Sequence, residues 1–451
     1  MLFFARYVLP ISSPHIENGA VLVKGDRIVD VGQATEMKVR YPTEPRQDFG
    51  LAAIMPGFID VHTHLEYSAM RGLVHDVPYS AWKQALDEKE QLFTSQDWDD
   101  SALLGGLESV ASGITTIADI TRTGSSGHAA QAIGLRGIIY REVGTMERKL
   151  VPQAVAQAQE DVQAWSETVD SDRLIIGYAP FSLFTCHPEI FLRVAELCAD
   201  GTPAACHIAG SSEEYDFVRY GSSPFSVHNT ELGAGYGIDM PPWLPTGVSP
   251  VRYLLNWQIL KVPNLLAIHC VHVDDSDIEI LAEHDVSVAY CPRCNAKLSM
   301  GIAPIGKMLR AGIRIGLGTD SPAASDSMDP IAEMRIGLLL QRAVNDKHNF
   351  LDTDQMVYMA TLGAARALRL DDQIGSLDPG KKADLIAIDL SASHQAPTHY
   401  PNSATVHTCN QDNILMTMVN GRVLYDGEHQ HGVDPERVYA RAEEMRLKLR
   451  N

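Results

Sequence analysis

The sequence has neither a long hydrophobic run nor a surplus of positive charge, and the first absence excludes a membrane-spanning protein. No apolar stretch reaches the roughly 18 to 20 residues that a transmembrane helix needs. The start of the chain, Met1 to Arg6, lacks the basic region and the small-residue cleavage site of a secretory signal peptide. We therefore expect a soluble, cytoplasmic protein with no membrane partner.

The lack of positive charge bears on nucleic acids. The 451 residues include 37 Lys and Arg against 57 Asp and Glu, so the formal net charge is −20. Proteins bind nucleic acids through clustered positive charge, which neutralises the phosphate backbone. We therefore expect no nucleic-acid partner and consider small molecules as ligands.

Cysteine is scarce as well. The seven cysteines are an odd number spread through a long chain, so we expect reduced thiols rather than a disulfide framework. Two of them form the motif Cys291-Pro-Arg-Cys294, which by itself is compatible with a metal or redox site. Because no second Cys-x-x-Cys pair accompanies it, we interpret the motif as part of a structural loop.

Strand-like and helix-like segments alternate through the middle of the chain. Eight apolar runs are separated by segments with helical periodicity, such as 153–168 and 331–344. Continuous apolar strands are expected where helices cover a parallel sheet. The pattern predicts an α/β fold, a (β/α)8 TIM barrel. Its predicted strands are 54–61, 114–120, 137–143, 174–179, 204–208, 265–271, 286–290 and 313–317.

Both ends of the chain are β-rich instead. Residues 20–31 have hairpin patterning, and Asn420-Gly421 separates two short β-rich runs, which predicts a hairpin with a type I′ turn. We expect a small composite β-sandwich built from both termini. The predicted divisions are 1–54 for its N-terminal part, 55–372 for the barrel, and 373–451 for its C-terminal part with a terminal helix.

Metal-capable side chains follow four of the predicted strands, where barrel enzymes place their reactive residues. They are His62 and His64, His207, His269, and Asp320. His62 and His64 are two residues apart, so in an extended strand both point to the same side. Imidazoles and a carboxylate suit Zn²⁺, or Fe²⁺ in a similar cage, and leave a position for water. These side chains therefore predict a site for a divalent metal, zinc or iron. Our cofactor prediction is zinc, with iron as the alternative.

These residues belong to longer motifs. The motifs are Pro56-Gly-Phe-Ile-Asp-Val-His-Thr-His64, Cys291-Pro-Arg-Cys-Asn-Ala-Lys-Leu298, Gly316-Leu-Gly-Thr-Asp-Ser321 and Ile374-Gly-Ser-Leu-Asp-Pro-Gly-Lys-Lys-Ala-Asp-Leu385. Through them the sequence resembles the amidohydrolase superfamily, in the branch of the cytosine, guanine and adenosyl-type deaminases and the triazine hydrolases. The resemblance covers nearly the whole chain and implies a metal-dependent hydrolase that acts on a small heterocyclic substrate.

The resemblance also implies roles for individual residues. His62, His64, His207 and Asp320 match the family's metal ligands, and His269 matches the histidine that contacts the attacking water or the departing group. Binuclear relatives bridge two metals with a carboxylated Lys or a Glu after strand four; residues 177–187 contain no Lys, which favours one metal. The metal would lower the pKa of a bound water from ~15.7 toward ~7. Asp320 would take its proton as hydroxide attacks an electron-poor ring carbon, so His269 and Asp320 are the predicted catalytic residues.

Two departures from the family pattern limit this comparison. In the deaminases a Glu three residues after the strand-five histidine protonates the ring nitrogen, whereas this chain has Gly210. Phe181 stands where relatives often carry a substrate-facing His. Glu213 and Glu214 are possible replacement acids, but a helix that begins near them would make them first-turn residues favoured by its dipole.

Substrate contacts are predicted from position alone. Trp82 and Arg148 lie in segments that such barrels place over the mouth, where an aromatic plate and a cation suit a flat heterocycle with a polar appendage. The alternative is a packing tryptophan and a solvated arginine. Phe181 and Ser321 complete the predicted substrate-binding set. By analogy with relatives we expect a homo-oligomer.

The function predicted from the sequence is that of an aminohydrolase that releases ammonia from an aminated heterocycle or nucleoside-like compound. One alternative is the release of chloride or an alkylamine from a triazine-like ring, since halide needs no protonation and Gly210 would then be less of a handicap. The other alternative is a catalytically silent relative that binds a ligand through an intact metal site.

Overall fold

A computed structural model describes residues 1–235, 244–345 and 350–450 of the chain. Among these residues, no helix combines the length and the apolarity that crossing a bilayer requires. The strands are β1 (Leu2–Val8), β2 (Ile16–Lys24), β3 (Arg27–Gln33), β4 (Arg46–Asp48), β5 (Ala52–Pro56), β6 (Phe58–Thr63), β7 (Ile114–Thr121), β8 (Arg136–Val143), β9 (Leu174–Pro180), β10 (Ala204–Ile208), β11 (Leu265–His269), β12 (Ser287–Tyr290), β13 (Ile315–Leu317), β14 (Leu385–Asp389), β15 (Ile414–Val419) and β16 (Arg422–Tyr425).

Helices connect and cover these strands. They are α1 (Ala34–Arg40), α2 (Tyr79–Glu90), α3 (Ser95–Ala111), α4 (Ser125–Ile133), α5 (Val151–Thr168), α6 (Pro188–Leu197), α7 (Ser212–Tyr220), α8 (Pro224–Gly235), α9 (Pro250–Asn256), α10 (Asp275–Glu283), α11 (Pro292–Lys297), α12 (Ile305–Arg310), α13 (Pro322–Ser325), α14 (Pro330–Asn345), α15 (Thr353–Met359), α16 (Leu362–Ala367), α17 (Pro401–Thr408) and α18 (Pro435–Leu449). Short 3-10 helices lie at Leu65–Met70, Arg148–Leu150, Ile259–Lys261 and Gln411–Asn413.

The eight strands β6 to β13 form one parallel sheet in sequential order, which curls into a nearly closed barrel. Strands β7, β8, β9 and β10 are buried almost throughout, as expected for strands that helices cover on the outside. The predicted fold class, a TIM barrel with a separate sheet from the termini, is confirmed. Seven of the eight predicted strand positions agree with the structure to within a few residues.

The eighth, the predicted strand 54–61, is split between two sheets. Its first part belongs to β5, which pairs with β1 and β14, and its second part is β6 of the barrel. The chain changes sheet at Gly57, where a Cβ would lie 2.1 Å from Cγ2 of Thr115. The sequence gives no sign of the change of sheet, because β5 and β6 are both buried and together form one uninterrupted apolar run. The expected division at residues 54 and 55 therefore falls inside β5.

The second sheet is built from both ends of the chain, in the order β16-β15-β14-β5-β1-β2-β3, and β4 also pairs with β1. One part of its side chains forms a hydrophobic cluster of its own, and another part, including Ala53, Met55, Ile386 and Ile388, belongs to the barrel core. Strands β15 and β16 are joined by Asn420 and Gly421, with φ values of 49° and 71°. Two consecutive positive φ values are those of the predicted type I′ turn.

Buried ion pairs join this sheet to the bottom of the barrel. The Arg136 guanidinium, at the start of β8, donates to both carboxylate oxygens of Asp384 at 2.6 and 3.3 Å, and both side chains are at most 4% exposed. The Lys382 ammonium, also 4% exposed, lies 2.7 Å from Asp172 and 2.9 Å from Asp26. A charge this deeply buried is tolerated only when it is paired, so these contacts fix the sheet against the barrel.

The last helix, α18, packs on α3 through a network of charges. On α3, Asp97 and Asp100 have nearly buried carboxylates. Arg441 of α18 donates to both of them, at 3.2 and 2.9 Å. Helix α3 in turn contacts the segment that follows β6, where the Ala69 amide donates to the Ser101 hydroxyl at 2.9 Å. The terminal helix thus braces the segment that leaves the first barrel strand.

Candidate metal centre and active site

Polar residues at the ends of β6, β10, β11 and β13 meet at the C-terminal mouth of the barrel. Five buried side chains form what we call the histidine–aspartate cluster: His62, His64, His207, His269 and Asp320. Ligand atoms of His62, His64 and His207 all lie within 4.8 Å of one another, and so do those of His62, His269 and Asp320. Because His62 belongs to both sets, the five side chains form a single cluster.

Backbone carbonyls fix the orientation of two imidazoles. Nδ1 of His64 lies 2.9 Å from the carbonyl oxygen of Ile120, and Nδ1 of His207 lies 2.9 Å from that of Phe181. A carbonyl oxygen only accepts, so we assign the ring proton to Nδ1 in both residues. Each ring then presents the lone pair of Nε2 to the centre of the cluster, as in metal-binding histidines.

His62 and Asp320 bring the first and last barrel strands together. Nε2 of His62 lies 3.7 Å from Oδ1 of Asp320, and it is buried with no hydrogen-bond partner in the described part of the chain. The Asp320 amide donates to the His62 carbonyl at 2.8 Å. Behind them, Asp60 accepts from the amides of His62 and Thr319, at 3.2 and 2.9 Å. An orphaned nitrogen beside a carboxylate fits a divalent cation.

Burial decides the charge of the cluster. It lowers the pKa of His64 to about 3 and that of His207 to about 4, and neighbouring imidazoles act in the same direction on His64. The pKa values of His62 and His269 are also lowered, first by burial and then by the other imidazoles. All four rings are therefore neutral at pH 7, which is the form that binds a metal.

The lowered pKa values predict a titration that NMR can follow in metal-free protein. The rings of His64 and His207 should stay neutral at pH 5.5, where a histidine with an ordinary pKa of about 6.5 is mostly protonated. As the pH falls below about 6.5, the two imidazoles bind protons in the unfolded chain but not yet in the folded protein, so protonation favours unfolding. The two rings' contribution to the free energy of unfolding is therefore complete above about pH 6.5 and declines as the pH falls toward 4.

The internal reference for this measurement is His128, whose side chain is 65% exposed. Ring carbon shifts of the three histidines between pH 4 and 8 are the measurement. A midpoint near 6.5 for His64 or His207 would contradict the burial argument.

His269 and Asp320 have unusual backbone conformations. Their φ values are 72° and 61°, in the left-handed region that residues other than glycine rarely adopt. Nε2 of His269 lies 3.7 Å from Oδ2 of Asp320. Such strain costs of order 1 kcal/mol per residue and is typical of functional sites, where the surrounding structure holds it.

A cavity opens onto the cluster. Three of the predicted substrate-binding residues, Trp82, Phe181 and Ser321, lie in its wall. The Phe181 ring centroid is 4.5 Å from that of His207, and the Trp82 indole donates to the carbonyl of Ala323 at 3.2 Å. The cavity therefore has aromatic walls close to the cluster, as a flat ring requires.

Arg148 requires a correction. Its side chain is 76% exposed, pairs with Glu189 at 2.6 Å and lies outside the cavity wall. It belongs to the 3-10 turn that precedes α5, on the outside of the mouth. We therefore withdraw it as a substrate contact, and the alternative interpretation of a solvated arginine describes its position.

Glu213 and Glu214 lie in the first turn of α7, whose N-cap is Ser211. Glu214 accepts from the amides of Ala209 and Gly210 at 3.1 and 2.8 Å, and burial raises its pKa to about 7. Glu213 accepts from the amide and the hydroxyl of Ser80 at 3.1 and 2.7 Å. Both carboxylates are thus engaged outside the cavity wall, which argues against either as the replacement acid.

Six polar residues in the cavity wall were not predicted from the sequence. They are Tyr67, Tyr79, Lys83, Arg122, Glu142 and Thr185. Arg122 and Glu142 stand at the ends of β7 and β8, so the strand-end rule that found the histidines could have found them. Tyr79 and Lys83 are on α2, the same helix as Trp82, so the positional argument that placed Trp82 over the mouth could have included them.

The model of the amidohydrolase family matches residues 53–424 of the sequence. The chain belongs to the amidohydrolase family. A second, shorter match covers residues 19–43 with the imidazolonepropionase-like composite domain of bacteria. The first match covers most of the chain, including all five residues of the histidine–aspartate cluster.

Named relatives agree with this assignment. The amidohydrolase is 32% identical to the 5-methylthioadenosine/S-adenosylhomocysteine deaminase of Pelotomaculum thermopropionicum over 444 residues, covering 96% of this chain and 94% of that protein. It is 30% identical to the protein of the same name from Thermodesulfovibrio yellowstonii, covering 99% of this chain and 98% of the relative.

Solved structures share the fold. An adenosine deaminase from Xanthomonas campestris with bound zinc superposes with a TM-score of 0.86 at 25% identity, covering 100% of this amidohydrolase and 98% of that chain. The zinc complex of atrazine chlorohydrolase from Arthrobacter aurescens superposes with a TM-score of 0.84 at 22% identity, covering 98% and 99%. The second comparison supports the architecture only.

Proposed function

We propose that this amidohydrolase is a metal-dependent aminohydrolase that releases ammonia from an aminated heterocycle or a nucleoside-like compound. The observation that carries the proposal is the cluster of four neutral imidazoles and one carboxylate at the floor of an aromatic-walled cavity. The relatives named as 5-methylthioadenosine/S-adenosylhomocysteine deaminases indicate the substrate class.

The residues proposed to hold one divalent metal are His62, His64, His207 and Asp320. When bound, the metal supplies a Lewis acid that brings the pKa of water toward neutrality. Zinc is proposed because neutral imidazoles with one carboxylate are ligands that zinc accepts, and the Xanthomonas campestris relative binds it. No Lys occurs within β9 or the segment after it, residues 177–187, which favours a single metal.

The other side chains orient the substrate and move protons. Asp320 is proposed to accept the proton of the attacking water, because its carboxylate faces the imidazoles of both His62 and His269. His269 is proposed to orient that water through Nε2. Phe181 and Trp82 would exclude bulk water and hold a planar ring beside the cluster.

The test is metal analysis coupled to a screen for ammonia. Protein purified without added metal is expected to contain about one divalent metal per chain, and holoenzyme should release ammonia from at least one aminated purine, pyrimidine or pterin. Metal without ammonia from any compound would contradict the aminohydrolase proposal and would favour a ligand-binding role for an intact metal site.

A second candidate, hydrolytic dechlorination or dealkylamination of a triazine-like ring, is favoured by one observation. The family acid is replaced by Gly210, and a chloride leaving group needs no protonation. The same screen should include chlorinated triazines, with chloride measured by ion chromatography. Chloride release without ammonia release would favour this candidate.

Restoring the family acid is expected to harm the enzyme. A Cβ at position 210 would lie 2.9 Å from Cε of Met300 and 3.1 Å from Cδ2 of His269. The methionine can move, but the His269 ring would have to shift by a few tenths of an ångström. We expect the rate to fall by less than about 100-fold, which is the effect of a misplacement by about 1 Å. Steady-state kinetics of Gly210→Glu are the measurement.

The double variant Gly210→Glu/Met300→Ala is the control for this prediction, because it relieves the methionine contact and leaves the histidine contact. We expect its activity to remain low. A large gain in ammonia release from either variant would show that the site lacks an acid and has room for one.

We also propose that the protein acts in the cytoplasm as a homo-oligomer. The proposal rests on analogy with the family. Light scattering coupled to size exclusion tests the oligomeric state, and a monomer at micromolar concentration would contradict it.

A further inference from the structure

Loss of the family acid leaves the ring nitrogen of a heterocyclic substrate without an assigned partner. When a nucleophile adds to the ring carbon, the electron pair of the adjacent C=N bond moves onto that nitrogen. The developing negative charge needs a donor, and preorganised donors aimed at such charge are a large source of catalysis. Neither Glu213 nor Glu214 lines the cavity, so the donor must be found elsewhere.

Most donors in the cavity wall already have partners. The Tyr67 hydroxyl donates to Glu90 at 2.9 Å, and the Arg122 guanidinium pairs with the same carboxylate at 2.8 Å. The Lys83 ammonium pairs with Asp87, one helical turn further along α2. These groups are tied to carboxylates and form a charged wall on one side of the cavity.

The Tyr79 hydroxyl is different. The Tyr79 side chain lines the same cavity as His269 and Asp320, and its hydroxyl has no hydrogen-bond partner among residues 1–235, 244–345 and 350–450. The whole side chain is only 7% exposed. A hydroxyl on a side chain this deeply buried normally finds a partner, so an unpartnered one on a residue that lines a cavity indicates a ligand.

Aromatic packing fixes the Tyr79 ring. Its plane lies 18° from that of Trp82, with ring centroids 6.1 Å apart. Phe184 and Phe225 pack edge-on against it, with centroids at 6.1 and 5.8 Å. The ring therefore cannot turn the hydroxyl away from the cavity without repacking three neighbours.

The backbone at Tyr79 is fixed as well. Tyr79 is the first residue of α2, and the next residue, Ser80, donates through its amide and its hydroxyl to Glu213. The Trp82 indole donates to the carbonyl of Ala323 in α13, the helix that follows the neighbouring strand β13. One of the two acids considered as replacements thus anchors the helix that carries the free hydroxyl.

The electrostatic surroundings keep this hydroxyl protonated. Burial raises the pKa of Tyr79 well above its ordinary value, and the carboxylates of Glu214 and Asp320 act in the same direction. A neutral phenol donates one hydrogen bond and does not ionise at any pH at which the enzyme would be assayed.

We propose that Tyr79 contacts the substrate and donates a hydrogen bond to its ring nitrogen, in place of the acid that Gly210 lacks. The proposal rests on the proposed function, since it assumes a heterocyclic ring beside the histidine–aspartate cluster. No bond of the phenol breaks: the O–H stabilises the electron pair that moves onto the ring nitrogen during addition. The substrate class that this arrangement selects is an azine ring with an unprotonated nitrogen next to the reacting carbon.

The test compares two probes that have no amino group to lose, purine riboside and its 1-deaza analogue, in which a C–H replaces the ring nitrogen. Their dissociation constants are measured on zinc-loaded protein by calorimetry. The wild type should bind the deaza analogue about tenfold more weakly, the size of one neutral hydrogen bond. Tyr79→Phe, which retains the ring and its packing, should bind the two probes equally.

Tyr178→Phe is the matched control. Tyr178 is also 7% exposed but belongs to β9 and lies outside the cavity wall, so the variant should discriminate between the probes as the wild type does. With a substrate found in the ammonia screen, Tyr79→Phe should raise KM about tenfold, as for the probes, and should lower kcat by a further factor of about 10 to 100, since the donor acts most strongly on developing charge.

The outcomes separate this inference from the proposed function. Retained discrimination in Tyr79→Phe, or failure of both probes to bind the wild type, would overturn the role of Tyr79. Loss of discrimination in Tyr79→Phe alone, in an enzyme that releases no ammonia from any compound, would support Tyr79 while contradicting the aminohydrolase proposal. Thermal unfolding of the variant near the wild-type temperature excludes a folding defect.

Discussion

Replacing His207 by alanine is expected to remove the bound metal and to lower the rate of ammonia release by at least about 1000-fold, because water without a Lewis acid has a pKa of ~15.7. His207 is the only proposed ligand from β10, and its Nδ1 is held by the Phe181 carbonyl. Without the His207 imidazole, three proposed ligands remain: His62 and His64 at the end of β6, and Asp320. Metal content by elemental analysis and initial rates are the measurements.

His128→Ala is the control for this variant. His128 lies on α4 with an exposed side chain, so the same substitution there removes an imidazole far from the cluster and should leave both metal content and rate unchanged. If His207→Ala retained a full complement of metal, the proposed ligand set would be wrong. If it lost the metal but retained the rate, the metal would have no part in the reaction.

Arg136→Met is expected to lower the free energy of unfolding by about 3 to 5 kcal/mol, the typical cost of removing one partner of a buried ion pair. The substitution would leave the Asp384 carboxylate, which is 2% exposed, without its bidentate partner at the junction of the barrel and the second sheet. Methionine fills a similar volume, so the effect comes from the unpaired charge. Urea denaturation followed by circular dichroism measures it.

Arg193→Met provides the comparison. Arg193 pairs with Glu196 on α6, but both side chains are more than half exposed, and exposed pairs contribute about 0 to 1 kcal/mol. The two arginine variants should therefore differ by several-fold in their effect. Equal effects would mean that burial of the Arg136 pair does not determine its contribution.

The barrel strands were predictable because each is an apolar run of about the right length between helical segments. Strand β10 was predicted to the residue, at 204–208. The residues of the histidine–aspartate cluster were found for a related reason: the carboxyl ends of parallel strands meet at one mouth, and His62 and His64 are two residues apart on one strand. Position along a strand was enough to bring them together.

Other features depend on tertiary geometry that a sequence pattern does not encode. The crossing between sheets at Gly57 lies inside a continuous apolar run, because both strands are buried. Arg148 and Tyr79 both lie in connections after strands, yet one points to solvent and the other into the cavity. Helix-cap reasoning did place Glu213 and Glu214 in a first turn, since that depends only on local sequence.

The composite sheet has a kinetic consequence. Strand β5 pairs with β14 in the register Ala53↔Ile388, so two segments separated by more than 300 residues must meet before that sheet can close. The entropic cost of closing a loop grows only slowly with its length, but pairing of such distant segments slows the search for the native state. During synthesis, strands β1 to β5 leave the ribosome long before β14, and the second sheet cannot close until β14 has been made. Their apolar edges are open to other chains throughout that interval, so the yield of folded enzyme depends on how long translation of the barrel takes.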